Sequence, residues 1–493
     1  MNRPEKAVDT LDALARRVVM GSFAGPTLPS WAARLLEGGL GSVCLFGSNI
    51  PTYAGVRALS DAVHAAGVDV LVATDEEGGD VTRLHTAEGS PFPGNAALGA
   101  VDDPALTRRV AASIGTLLAA AGVDLDLAPV VDVNSNPRNP VIGVRSFGAD
   151  AALVARHTAA YVDGLQSAGV GACAKHFPGH GDTAVDSHLG LPTVDVGLDV
   201  LRARELVPFA AAVRAGTLAV MTSHVLLPAL DADRPATLSS AVLGLLRGEL
   251  GFDGLLVSDA VDMAGASAGR GEPAAAVLAL AAGCDLVCLG ADKDEAEHIS
   301  VLDAIVEAVK DGSLPEERLA EAAGRVVAAS RTVRGWHRPD GPAGDSPGIE
   351  AARRALHVDR ALPDLTGAVV LRVRTGSNVA VGDVPWGLPV DGAVLAGRAM
   401  VDVRETSTTA DVLQQVGTAP VVALVREPHR HPWALDLLHR VAAARPELVV
   451  VEMGWPGEVD LPGAAVVRTY GASAASSVAL DELLAGARGG SAI

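Results

Sequence analysis

Short apolar runs alternate with longer stretches of helical period over the first 290 or so residues. The runs lie at 18–23, 43–46, 70–74, 123–128, 172–175, 218–222, 255–258 and 286–289. Runs this short and this apolar suit strands buried on both faces, as in a parallel sheet. Helical patterns separate them, for example at 53–66, 105–121 and 152–168. Eight alternating units predict an α/β fold, a (β/α)8 TIM-type barrel, with a doubly wound sheet as the alternative on pattern alone.

Polar residues fall where such a barrel would need them. Asp75 follows the third run and Asp132 lies just beyond the fourth. Lys175 and His176 end the fifth, Ser223 and His224 the sixth, and Ser258 and Asp259 the seventh. Barrel active sites are assembled at the C-terminal ends of several strands. Residues 334–348, RGWHRPDGPAGDSPG, are dominated by Pro, Gly and Asp and read as an exposed connection. Strands then resume at 368–373, 421–425, 448–451 and 465–468, with helices at 433–444 and 476–487. The expected organisation is a catalytic barrel over 1–335, a linker over 336–360 and a smaller α/β sandwich domain over 361–493.

Composition narrows the partners. The 493 residues are 49% hydrophobic but 3% aromatic, so the core is aliphatic. A net charge of −20 repels nucleic acid phosphates and anionic lipid, which points to a neutral or locally recognised substrate. Glu5, Asp9 and Asp12 interrupt the N-terminal stretch, unlike a secretory segment, and no run is long and apolar enough to predict a membrane span. Cys44, Cys173, Cys284 and Cys288 each sit in an apolar, strand-like run. They read as reduced, buried thiols, with metal binding a weaker alternative because the Cys and His spacings are not zinc-like. A cytoplasmic location is expected.

Four segments carry candidate chemistry. Residues 175–192, KHFPGHGDTAVDSHLGLP, form a loop with glycines flanking His180. Asp186 and His188 are two apart in it, a spacing that lets the carboxylate bond the imidazole and tune an acid/base; a polar surface loop would also read this way. In 251–266, GFDGLLVSDAVDMAGA, Asp259 ends a strand, either facing the mouth or capping a helix, and Asp262 would start that helix. In 73–84, ATDEEGGDVTRL, Asp75 is placed to anchor sugar hydroxyls or to form an acidic turn, and Arg83 follows. In 139–147, NPVIGVRSF, Arg145 suits a ligand oxygen or a neighbouring carboxylate.

Together these segments resemble glycoside hydrolase family 3, in its bacterial N-acetyl-β-glucosaminidase branch and two-domain form. The loop KHFPGHGDTAVDSHLGLP carries the resemblance most strongly, over a region of about 10–335. The resemblance implies that Asp259 is the nucleophile and His188 the acid/base, with Asp186 its dyad partner. It implies that Asp75, Arg83, Arg145, Lys175 and His176 bind substrate. Two positions depart from the family pattern: Asp80 stands where an Arg is usual, with an expected effect beside the sugar, and Ala260 stands where a second acid often follows the nucleophile.

The implied reaction is retaining removal of terminal GlcNAc from peptidoglycan-derived or related oligosaccharides through a covalent glycosyl-enzyme. Histidine, unlike a glutamate base, would not repel an anion. Phosphate is therefore an alternative acceptor, giving GlcNAc-1-phosphate, and a bifunctional β-glucosidase is a further alternative. A non-catalytic sugar-binding relic of the fold is the reading from a different class. No metal or organic cofactor is implied. The expected partner is a small carbohydrate, with no nucleic acid and no membrane, and the chain is expected as a monomer or homodimer.

Overall fold

A computed structural model describes residues 10–185, 190–338, 347–376, 380–382 and 384–488. Eight parallel strands form the first domain: β1 Val19–Gly21, β2 Ser42–Leu45, β3 Leu71–Thr74, β4 Leu125–Asp126, β5 Gly171–Phe177, β6 Ala219–Thr222, β7 Leu255–Val257 and β8 Val287–Cys288. Their order is β8-β1-β2-β3-β4-β5-β6-β7, and a parallel bridge between Val257 and Leu286 closes the ring. The barrel expected from the alternation is therefore the observed fold.

Met20, Cys44, Leu71, Cys173, Met221 and Cys288 help to fill the barrel interior, while the outer faces of the strands pack under the helices. All four cysteines are free and buried, and burial pushes every thiol up, which keeps them protonated and unreactive. Helix boundaries follow from local chemistry. The helix Pro104–Ala120 has Pro in its first turn and Asp103 accepting from the Leu106 N–H. The helix Ala151–Ser167 starts where Asp150 accepts from the Leu153 N–H. Among the described residues no helix is long and apolar enough to cross a membrane.

The second domain is a sheet of β9 His357–Val358, β10 Val369–Val373, β11 Val401–Val403, β12 Val421–Val425, β13 Val449–Glu452 and β14 Ala465–Arg468. Its order is β9-β14-β13-β12-β10-β11, parallel except for the β9–β14 pair. Val422 and Leu424 face one apolar layer, and Val421, Ala423 and Val425 the other, so the sheet is covered on both sides. The edge strands β9 and β11 went unread in the sequence because neither is a continuous apolar run: both are short and partly exposed.

The span 336–360, read as a linker, contains the helix Pro347–Ala355 as well as β9. That helix docks on the barrel: a Cβ at Gly348 would lie 2.2 Å from the Pro91 carbonyl oxygen, so only glycine permits this approach. Arg109 and Arg354 reach across to Glu350 and Asp103 respectively.

Candidate active site

The C-terminal mouth of the barrel opens on a cavity of about 320 Å³. Asp75, Arg83, Arg145, Lys175, His176 and Asp259 all line it. These six sequence-derived candidates come from the ends of three strands, β3, β5 and β7, and the loop over 139–147. Asp186 and His188 lie outside the described residues.

Lys175, on β5, is buried and places Nζ 2.5 Å from Asp75 and 2.8 Å from Glu77. Glu77 in turn accepts a two-point contact from Arg145, at 2.9 Å from Nε and 2.7 Å from Nη2. Burial opposes each of these charges, but the network outweighs it. Arg145 and Lys175 hold the Glu77 carboxyl well below the usual carboxylate range. Asp75 and Glu77 hold Lys175 above the ordinary lysine value. The site thus presents fixed charges of alternating sign, organised before any ligand arrives. Asp75 keeps its second carboxylate oxygen for other partners, a geometry suited to hydroxyl recognition.

His176 is oriented from behind. Its Nδ1 lies 2.8 Å from Oδ2 of Asp132, and its Nε2 lies 3.4 Å from Nη2 of Arg145. Burial presses Asp132 towards the neutral acid, yet His176 and His180 lower its pKa overall. A carboxylate at Nδ1 makes that nitrogen the N–H and leaves Nε2 as the acceptor facing Arg145. Asp132 also accepts from the His180 backbone N–H at 2.7 Å, which pins the start of the loop after β5. Within that loop His180 is buried, bonds Thr183 at 2.7 Å, and is drawn down by burial to a pKa of about 4. Glu77, Asp132 and His180 are the supports that sequence reading left unassigned. Glu77 stood in DEEGG and His180 between two glycines, but only their partners across the barrel show what they do.

Arg83 reaches the cavity from a turn organised by Glu76. One carboxylate oxygen of Glu76 accepts from Thr82 Oγ1 and from the backbone N–H groups of Arg83 and Leu84, each at 2.9 Å. Burial raises Glu76 to about 7. The Arg83 side chain donates to the Ala380 carbonyl at 3.1 Å, so the second domain also holds it. Asp80, expected to act beside the sugar, is instead buried against that domain, paired with Arg426 and accepting the Ala472 N–H at 2.6 Å. Gly79, at φ +63°, turns the chain between Glu77 and Asp80; a Cβ there would lie 2.5 Å from the Gly94 Cα.

Asp259 follows β7 after one residue, Ser258. Its backbone N–H lies 3.3 Å from Thr222 Oγ1, and its Oδ1 accepts the Ala260 N–H at 2.8 Å. The next helix begins at Ala264 with Met263 at its N-cap, so Asp259 is not a helix cap. Asp262 does not begin that helix either; it pairs with Lys293 at 3.1 Å.

Carboxylates, cations and imidazoles converging on one cavity at the C-terminal mouth of a parallel barrel define a barrel enzyme. Residues 29–329 match the model of the Glycosyl hydrolase family 3 N terminal domain. A beta-hexosaminidase of Chromobacterium violaceum is 38% identical over 336 residues, covering 66% of this chain and 90% of that protein. Beta-hexosaminidase A of Pseudoalteromonas piscicida is 35% identical over 328 residues, 61% of this chain but 55% of that longer protein. The solved structure of a glycoside hydrolase family 3 beta-N-acetylglucosaminidase from Paenibacillus sp. str. FPU-7 superposes with a TM-score of 0.86 at 34% identity, covering 98% of both chains. The chain belongs to glycoside hydrolase family 3.

Proposed function

We propose that the protein is a retaining, exo-acting N-acetyl-β-D-glucosaminidase that removes terminal GlcNAc by double displacement. The observation that carries the reading is the position of Asp259. Its carboxylate lines the same cavity as Asp75, Arg83, Arg145, Lys175 and His176, and nothing in the local helix geometry requires an acid there. The hydroxyls of a non-reducing sugar would meet Asp75, Lys175 and Arg145, which are fixed by the Asp75–Lys175 pair and by the contacts of Lys175 and Arg145 with Glu77. Asp259 then attacks the anomeric carbon, forming a glycosyl-enzyme and releasing the aglycone alcohol, whose oxygen takes a proton from His188. His188, supported by Asp186, next takes a proton from water, which attacks the anomeric carbon and frees Asp259.

A second cavity of about 290 Å³ shares Val141, Ile142 and Arg145 with the first and is walled on its far side by Arg426, Arg430 and His431 of the second domain. The leaving group would extend into it. Peptidoglycan-derived oligosaccharides met in the cytoplasm are the substrate class we assign, in keeping with the relatives' hexosaminidase names and the four free thiols.

Asp259→Ala should abolish turnover of an aryl N-acetyl-β-glucosaminide, a loss of more than about a thousand-fold in kcat. Activity near the parental rate would remove the assignment. NMR of the first sugar released should show the β-anomer. GlcNAc formation should not depend on millimolar phosphate; accumulation of GlcNAc-1-phosphate would replace water by phosphate as acceptor.

A further inference from the structure

Beneath Asp259 lies a buried set of side chains that does not line the cavity yet grips the nucleophile's peptide from both sides. The chain leaving β6 forms a small hairpin, Leu226–Leu227 with Asp231–Pro235, and returns through the turn Ala236–Leu238. The turn brings Thr237 back under the end of β6. Its Oγ1 lies 2.7 Å from Thr222 Oγ1 and 2.9 Å from His224 Nδ1. Thr222 Oγ1 faces the Asp259 backbone N–H at 3.3 Å, and His224 Nε2 faces the Ala260 carbonyl at 2.8 Å. Thr222, His224 and Thr237 are all fully buried.

A carbonyl oxygen only accepts, so His224 Nε2 carries its hydrogen. In the neutral ring Nδ1 is then an acceptor within reach of the Thr237 hydroxyl. The Thr222 hydroxyl donates to Thr237 and has a lone pair left for the Asp259 N–H. The Ser223 carbonyl, which takes the Thr237 backbone N–H at 3.1 Å, also lies 2.9 Å from Thr237 Oγ1, so the hydroxyl faces two acceptors, that carbonyl and His224 Nδ1. These contacts link the Asp259 N–H through Thr222, Thr237 and His224 to the Ala260 carbonyl, with the Ser223 carbonyl tied in at Thr237. Such chains polarise and stiffen one another in a low-dielectric interior.

We propose that Thr237 is a positioning residue for catalysis: through Thr222 and His224 it fixes the backbone on both sides of Asp259 and so aims the carboxylate at the anomeric carbon. Orientation at the reacting atom matters in the transition state more than in ground-state binding, so its loss should fall on kcat. The inference rests on Asp259 being the nucleophile.

The test uses the whole chain with an aryl N-acetyl-β-glucosaminide. Thr237→Val keeps the shape and removes the hydroxyl; Thr237→Ser restores it. Thr237→Val should lose kcat by about ten-fold or more with KM within about two-fold of the parent, a misplacement-sized effect. Thr237→Ser should recover most of that rate. Thr222→Val, which removes the acceptor for the Asp259 N–H together with the partner of the Thr237 hydroxyl, should show the same split and keeps the test open if Thr237→Val does not fold. A kcat within about two-fold of the parent in the folded valine variants, or a serine variant as slow as Thr237→Val, would overturn the proposal. Asp259→Ala retaining activity would instead overturn the nucleophile assignment on which it rests.

Discussion

Asp80 and Arg426 form a buried ion pair that joins the barrel to the second domain. The aspartate is 2% exposed and the arginine 10%, and the guanidinium stacks over Trp386 at 5.4 Å. Asp80 sits three residues before Arg83 and three after Glu77, so the pair braces the turn that carries two groups of the site. Removing one partner of a buried pair leaves the other charge without its compensation, at a cost of about 3–5 kcal/mol. Arg426→Met should therefore lower Tm clearly, and it should lower kcat/KM as well by loosening the Arg83 turn. The double variant Asp80→Leu, Arg426→Met should regain much of the Tm. Calorimetry of the three proteins checks this; equal Tm in the single and double variants would contradict it.

Lys175 is the hub of the charges around the cavity, within 3 Å of both Asp75 and Glu77. Lys175→Met leaves both carboxylates on one side of the barrel mouth with Arg145 alone to offset them. Substrate binding and turnover should both fall, by about ten-fold or more in kcat/KM. Lys175→Arg should recover little, because a planar fork does not reproduce the two contacts of a compact ammonium. Steady-state kinetics on the two variants decides the point, and a fully active Lys175→Arg would show that charge alone suffices.

Glu452 carries a pH signature. It is fully buried at the end of β13, where one carboxylate oxygen accepts from the backbone N–H groups of Glu427 and Gly454, each at 2.8 Å. Burial raises its pKa to about 8 from an ordinary value of 4.5. The folded protein thus keeps a proton there that the unfolded chain has lost. This contribution is fully present below pH 4.5, declines as pH rises, and is gone above about 8. Glu452→Gln keeps the accepting oxygen and removes the titration. Its Tm should exceed that of the parent at pH 9 by more than at pH 5. Parallel Tm profiles across that range would show that Glu452 ionises normally.

His180 has the opposite sign. Burial lowers it to about 4 from 6.5, so its neutral form favours folding above pH 6.5 and that contribution is lost as pH falls through 4. His180→Gln should flatten the acid side of the Tm profile between those values. An unchanged acid limb would assign that instability to other groups.

Much of the fold was legible along the chain. A strand buried on both faces must be apolar at every position, so the eight barrel strands and four of the six strands of the second sheet stood out as runs. The helix at Tyr53–Ala66 fell where its apolar period placed it. The edge strands His357–Val358 and Val401–Val403 were not legible, because half-exposed edges lack that signal. At the site, the residues that end strands were legible because a polar group after an apolar run marks the barrel mouth. Their supports were not: Glu77 looked like part of an acidic turn, and no motif drew attention to Thr237.

Periodicity and strand-end chemistry picked out Asp75, Lys175, His176 and Asp259 on the cavity wall, since burial on a regular lattice is a local property of the chain. Pairing across that lattice is not local. Arg145 meets Glu77 from 68 residues away, Lys175 meets Asp75 from 100, and Arg426 meets Asp80 from 346. Those contacts exist because the ring closes and the second sheet docks on it. Charge compensation, proton placement and the aim of Asp259 are therefore properties of the assembled structure, where low dielectric and fixed distance give each pair its strength.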